Sequence, residues 1–255
     1  MDSGVAMNPA AVTRNQTPST SRISDEYRRV ADATEIAIRE PGRAEEIFER
    51  GFNSCVAFIA LIITTPLWIA VAILVKITSP GPILYSQTRV GIDRRRGTKR
   101  NDPRRKQDIG GRPFTIYKFR TMRVDAERHT GPVWAAKHDP RVTPIGRWLR
   151  QFRLDELPQL LNVIQGDMNI VGPRPERPTF FAELRREIAN YHLRQRTKPG
   201  LTGNAQINLE YDSSVDDVRR KLEFDLAYLR RRSLLHDMSI MVRTIPVILF
   251  RRGSR

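Results

Sequence analysis

Four stretches of the chain concentrate the residue types that phosphate chemistry uses. These are carboxylates that hold a divalent cation or attack phosphorus, and cationic side chains that neutralise phosphate oxygens. In YKFRTMRVDAE, Lys118 and Arg120 stand a few residues before Asp125 and Glu127. Two cations beside two carboxylates could bind a metal-diphosphate, with one carboxylate attacking phosphorus. A solvated helix start of mixed charge is the simpler reading of the same residues. In DPRVTPIGRWLRQFRLDELPQL, Arg141, Arg147, Arg150 and Arg153 crowd toward Asp155 and Glu156. Arginine fits phosphate through paired donors, and an Arg-rich helix beside carboxylates is as readily an ion-pair network. GDMNIVGPRPERP sets Arg174 between Pro173 and Pro175, a guanidinium on a stiff turn. KPGLTG offers the backbone N–H groups of Gly200 and Gly203 and the Thr202 hydroxyl, suited to an anion or simply to a turn.

The elements that must position these groups are short. ILYSQTRVG and PFTIYKFRTM are β-branched and aromatic enough to form two strands of a hairpin. Between them, Arg94 to Arg112 carries nine basic residues against two acidic ones and reads as a loop. Near a membrane each basic residue would add about 1 kcal/mol of attraction to anionic lipid; a solvated insertion explains it equally well. Residues 178–196 form a basic amphipathic pattern, and a helix is expected from about Ser214 to Arg232.

Before the hairpin, Gly51 to Val75 contains no charged residue. Its stretch from Cys55 to Val75 reaches ~30 Å as a straight helix, enough for a bilayer core. It begins far from the N-terminus, behind a polar helix, unlike an ordinary signal peptide. Pro66, behind Thr64 and Thr65, removes a backbone donor at mid-depth and is expected to break the helix, with the threonine hydroxyls taking freed carbonyls. Lys and Arg flank both ends, which favours both ends on one side, a re-entrant hairpin over residues 50–77, over a span. Met238 to Phe250 is apolar, short and edged by arginines, suited to lying in a membrane interface.

Residues 1–23 hold too few large apolar side chains to offset the entropy of ordering and are expected to be disordered. A helix is expected within residues 24–49, ending near Glu40 before Pro41-Gly42. The formal net charge of +16 requires an acidic partner, whether nucleic acid, anionic lipid or a phosphorylated substrate. Residues 1–50 carry seven Arg against nine acidic residues, so the basic surface belongs to the remainder of the chain. The single cysteine, Cys55, excludes an internal disulfide and a cysteine-rich metal site. The basic clusters lack interleaved aromatics, and zinc and helix-turn-helix patterns are missing, so no nucleic acid is expected.

In order and spacing, KITSPGPILYSQTRVG, KFRTM with its acidic sequel, RLDELPQLLNVIQGDMNIVGPRP, KPGLTG and KLEFDLAYL resemble one family, the bacterial sugar transferases, over nearly all of residues 50–252. These are monotopic phosphoglycosyl transferases acting on polyprenyl phosphate. The resemblance implies a mostly α, α+β fold with a re-entrant helix-break-helix at Pro66, interfacial amphipathic helices, a small β-hairpin, and a catalytic domain over residues 78–252 on the cytoplasmic face of the bacterial inner membrane. It implies Mg2+ as cofactor, a UDP-sugar donor and an undecaprenyl phosphate acceptor. Carried onto this chain, Asp125 would be the nucleophile and a metal contact, with Glu127 its partner; Lys118, Arg120, Arg153 and Arg174 would contact phosphate, and Asp155 and Asp225 would be further metal carboxylates. Two positions depart from the pattern: Ala126 separates the acidic pair, and Asn204 stands where relatives commonly carry Trp. The competing expectations are an inactive relative and a membrane-attached binder of anionic polymer.

Overall fold

The computed structural model describes residues 38–94, 110–128, 139–209 and 214–250. The expected disordered terminus, the helix before Glu40 and most of the basic loop lie outside the described residues. The fold is mostly helical with two small two-stranded sheets.

Helix α1 (Arg43–Thr78) contains the whole uncharged run and starts eight residues before it. It is the one described helix long and apolar enough to cross a membrane. Its two ends pack on the globular body. At the first, Arg50 donates to the carbonyls of Val163 and Ile164, each at 2.5 Å, and the buried Asn53 accepts from Ile170 N at 2.6 Å. At the second, Val71 and Val75 join Phe119 and Leu149 in a core that Trp68, Ile83 and Leu157 flank. Between them, from Phe58 to Leu67, no residue is buried, and Phe58, Ile62 and Ile63 are largely exposed. Exposed aliphatic surface of this extent marks a membrane or partner contact.

The helix runs through Pro66 as a single element, where the sequence led us to expect a break. One proline removes one hydrogen bond, that to the Ile62 carbonyl, and the turns on either side keep theirs. The threonines do not take that carbonyl: Thr64 donates to Ala60 and Thr65 to Leu61, both at 2.7 Å.

Ser79-Pro-Gly-Pro ends α1 and turns the chain into β1 (Leu84–Val90), which pairs antiparallel with β2 (Pro113–Phe119) from Leu84↔Phe119 to Val90↔Pro113, the expected hairpin. Gly81 sits at φ +117°, and a Cβ there would lie 2.2 Å from Arg120 Nη1, so both conformation and space demand glycine. The second edge of β2 is closed by a side chain. Asn162, fully buried, donates to Thr115 O at 2.7 Å and accepts from Tyr117 N at 3.3 Å, as a neighbouring strand would.

Helix α2 (Pro144–Gln151) is capped by the Thr143 hydroxyl, which accepts from Gly146 N, and a 3-10 turn over Leu154–Glu156 leads to α3 (Gln159–Gln165). Strand β3 (Asn169–Val171) pairs in parallel with β4 (Gly200–Thr202). This pair brings GPRP against KPGLTG: Gly200 N donates to Pro173 O and Gly172 N to Thr202 O, both at 2.9 Å. A Cβ on Gly200 would lie 2.1 Å from Gly172 N, so the glycine permits close backbone approach. With the Thr202 hydroxyl 2.8 Å from that of Thr244, KPGLTG is a structural turn.

The basic amphipathic pattern is split between α4 (Pro178–Glu187) and a 3-10 turn over Tyr191–Arg196, with Asn190 left-handed between them. Helix α5 (Asn204–Asn208) precedes α6 (Val215–Arg231), the helix expected from about Ser214 to Arg232, which a Ser214–Asp217 capping box opens. Helix α7 (Leu234–Leu249) follows, with Leu235, Val242, Ile245 and Leu249 exposed.

Where α6 meets α7, Tyr228 donates to Asp237 at 2.8 Å. Burial, with the Glu49 charge adding to it, raises the Asp237 carboxyl to about 6 against the donated hydrogen bond of Tyr228. A carboxyl whose folded pKa is raised contributes stability fully present below its unfolded value and lost as pH rises through the folded one. Asp237→Asn is therefore expected to raise stability at pH 8, by on the order of 2 kcal/mol, and to have little effect at pH 4. Thermal unfolding in detergent at the two pH values checks this; a gain equal at both would remove the titration from the account.

Candidate active site

The centre of the site is Glu156, at the end of the 3-10 turn and almost wholly buried. Strand alternation puts Lys118 on the β2 face that carries the buried Ile116. Its Nζ reaches Glu156 Oε1 at 2.6 Å. From the other side Arg174, fixed between two prolines, donates to the same oxygen at 2.5 Å and to Oε2 at 3.3 Å. Burial alone would raise the Glu156 carboxyl; the Arg174 and Lys118 cations outweigh it and hold the group well below the usual carboxylate range. Lys118 is pushed down by burial, against the attraction of Glu156.

Asp155, next in the chain, is also buried, with Oδ2 3.9 Å from Lys118 Nζ, beyond hydrogen-bond reach. Burial raises its carboxyl, and Glu156 adds to the rise against Lys118. Arg153 opens the turn at φ 55°, a left-handed conformation that costs an L-residue roughly 1–2 kcal/mol and clusters at functional sites. Its charge is one of those that lower Glu156.

Sequence reading passed over Arg89. It lies on β1, donates to Pro175 O at 3.1 Å, and feels the charges of Glu176, Arg174 and Arg177; burial lowers its pKa to about 10. The available signal was a cation inside the expected strand ILYSQTRVG. The cationic wall is thus Arg89, Lys118, Arg153 and Arg174.

The structure places the acidic sequel of KFRTM beside this wall, on its own rim. Met122 bridges Val142, and Arg123 N donates to Arg141 O at 3.0 Å. Asp125 lies three residues after Met122 and Asp139 three before Val142. Asp125 is exposed on a turn. Glu127 is ion-paired with Arg177, a residue the sequence reading did not single out. Asp139, 7% exposed, takes a fork from Arg141: Nε to Oδ1 at 2.8 Å and Nη2 to Oδ2 at 2.6 Å. That hydrogen bonding lowers the Asp139 carboxyl. The missed signal was Asp139-Pro140-Arg141 itself, an acid two residues before an Arg that can fold back onto it.

Two expected site residues are placed elsewhere. Arg120 donates to Ser79 O at 2.6 Å and Pro80 O at 2.9 Å, clamping the exit of α1 to the end of β2. Asp225 lies on α6, its Oδ2 2.8 Å from Arg194 Nη2. Of the expected helical network, Arg150 donates to the Thr121 hydroxyl at 2.9 Å and Arg141 serves Asp139.

Among the described residues no three of His, Cys, Asp and Glu come together as a metal cage. Mg2+ commonly takes one or two protein carboxylates and completes its shell with substrate phosphate and water. Asp155 fits that need: a buried carboxyl whose Oδ2 lies 3.9 Å from Lys118 Nζ, a looser pairing than the one Glu156 makes. Asp225, engaged by Arg194, does not.

The bacterial sugar transferase family model matches residues 44–251. The chain is 40% identical over 84% of its length to a UDP-N-acetylgalactosamine-undecaprenyl-phosphate N-acetylgalactosaminephosphotransferase from Aeromonas hydrophila, of which it covers 47%. It is 36% identical over 78% of its length to a UDP-glucose:undecaprenyl-phosphate glucose-1-phosphate transferase from Escherichia coli, of which it covers 39%. The chain therefore spans less than half the length of these relatives. It covers 88% of the exopolysaccharide production protein ExoY of Sinorhizobium fredii, at 37% identity over 82% of this chain. With the family model covering the hairpin, the cationic wall and the carboxylate rim in one match, the chain belongs to the bacterial sugar transferase family.

Proposed function

We propose that this protein transfers a sugar-1-phosphate from a UDP-sugar to undecaprenyl phosphate, releasing UMP, as an early step of exopolysaccharide or related glycan assembly. The observation that carries the reading is a rim of carboxylates beside a cationic wall, joined to a helix with a long exposed apolar surface. A carboxylate oxygen of the rim attacks the phosphorus that bears the sugar. The bond from that phosphorus to the bridging oxygen breaks, UMP leaves, and an acyl phosphate holds the phosphosugar. An oxygen of the polyprenyl phosphate then attacks the same phosphorus and frees the carboxylate. A covalent intermediate lets a soluble donor and a membrane-bound acceptor react in turn.

Asp125 is the nucleophile by motif position, with Glu127 its partner. Asp139 is a second reading, supported by the Arg141 fork that fixes its carboxylate and keeps it ionised. Lys118, Arg153 and Arg174 face the donor diphosphate. Asp155 would hold Mg2+, with Asp125 a further contact, and the ion would neutralise phosphate oxygens.

The apolar helix bends at Pro66 within one leaflet while keeping its helical hydrogen bonding on either side, so that both its ends face the cytoplasm, with α7 lying in the interface and the site in the cytoplasm. Both ends of α1 pack on the same globular body while Phe58 to Leu67 stay uncovered, which supports that topology. Cysteines placed at Ser24 and Ser254 should label from one side of the membrane only; labelling from opposite sides would establish a span.

The reaction is tested by UMP release from purified protein in detergent with Mg2+, undecaprenyl phosphate and a panel of UDP-sugars. Release with one donor, dependent on acceptor beyond a first turnover, is expected. No release from folded protein with any donor would favour an inactive relative.

A further inference from the structure

We propose that Arg194 is a positioning residue that holds Arg174 in its phosphate-binding pose, with Asp225, Glu176 and Tyr191 as its supports. The proposal rests on the reading of Arg174 as a contact to the donor diphosphate.

Arg194 is 7% exposed, and its donors are distributed over four groups. Nε donates to Asp225 Oδ2 at 3.0 Å, and Nη2 lies 2.8 Å from the same oxygen. Nη1 donates to the Tyr191 hydroxyl at 2.7 Å and to Glu176 Oε1 at 3.2 Å. Nη2 also donates to the carbonyl of Arg174 at 3.1 Å. The guanidinium lies 5.1 Å over the Tyr191 ring, a further attraction for a cation.

Gly200 N holds Pro173 O and Arg89 holds Pro175 O at the flanks of the Arg174 turn, and Arg194 holds the Arg174 carbonyl between them. Pro173 and Pro175 have no N–H, so the turn has few backbone donors of its own. Behind it is a small cavity that Arg174, Arg194, Gln195 and Thr197 line, so close packing does not fix it on that side. Gln195 Oε1 and Thr197 Oγ1 are buried there without partners among the described residues. The contact from Arg194 to the Arg174 carbonyl therefore sets where the Arg174 side chain starts, and Glu156 receives its far end. Lysine would keep the charge and lose the fork that reaches Asp225, Glu176 and the carbonyl together. This also gives Asp225 a use other than metal binding.

The test is a double-mutant cycle on the full chain in detergent, with donor and polyprenyl phosphate varied separately. Arg194→Lys is expected to raise the donor KM about tenfold, with kcat within about threefold and the acceptor KM unchanged. In an Arg174→Ala background the same change should add less than about twofold, because the residue it acts through is gone. Multiplying effects, or a fall in kcat with donor KM unchanged, would reduce Arg194 to structural support and overturn the proposal. Unchanged donor KM in Arg174→Ala alone, or no turnover with any donor, would sink the underlying reading and the proposal with it. If Arg194→Lys does not fold, Tyr191→Phe removes only the 2.7 Å contact; a donor KM raised about threefold is expected, and an unchanged one overturns the proposal.

Discussion

Replacing the attacking carboxylate by its amide is expected to lower turnover by at least about 10³-fold with folding intact, and comparing Asp125→Asn with Asp139→Asn assigns it. An amide keeps the volume and some hydrogen bonding but supplies no anionic oxygen to phosphorus. The two positions are each three residues along the chain from the Met122–Val142 bridge. Asp125 is exposed and accessible to a donor, whereas Arg141 engages both oxygens of the buried Asp139, so Asp125→Asn is expected to be the inactive variant. The spared variant should keep more than about a tenth of the activity. Near-normal turnover in both would remove the covalent step from the account.

Glu156→Gln is expected to be nearly as damaging, by a different route. The carboxylate accepts from Lys118 and Arg174 in a buried setting, and removing one side of a buried ion pair costs about 3–5 kcal/mol because the other charge stays uncompensated. Lys118 is already pushed down by burial, and without Glu156 it should lose its proton at lower pH still. The expected result is a lowered Tm and a donor KM that rises more steeply with pH than in the parent protein. Unchanged stability together with unchanged donor KM would show that the cluster does not hold the site together.

Much of the architecture was legible because it rests on local patterns. β-branched and aromatic content marked the hairpin, a charge-free run marked the apolar part of α1, and the helix expected from about Ser214 to Arg232 is α6. What was not legible depends on distant pairing. Asn162 reads as a polar residue in a helix, yet it closes the edge of β2. The short β3–β4 pair is only three residues a side and shows no alternation, so the meeting of GPRP with KPGLTG had no local signal. Arg120 and Asp225 have side chains suited to phosphate and metal; the carbonyls of Ser79 and Pro80 and the guanidinium of Arg194 engage them instead. At Pro66 the local rule predicted more disruption than one missing hydrogen bond produces.

The reaction account is tested most directly by intact-protein mass spectrometry after incubation with UDP-sugar and no acceptor. It predicts one added phosphosugar per chain, lost on adding polyprenyl phosphate and missing from the inactive carboxylate variant. Protein that stays unmodified while releasing UMP only when donor and acceptor are both present would contradict it, and would establish direct transfer between the two substrates.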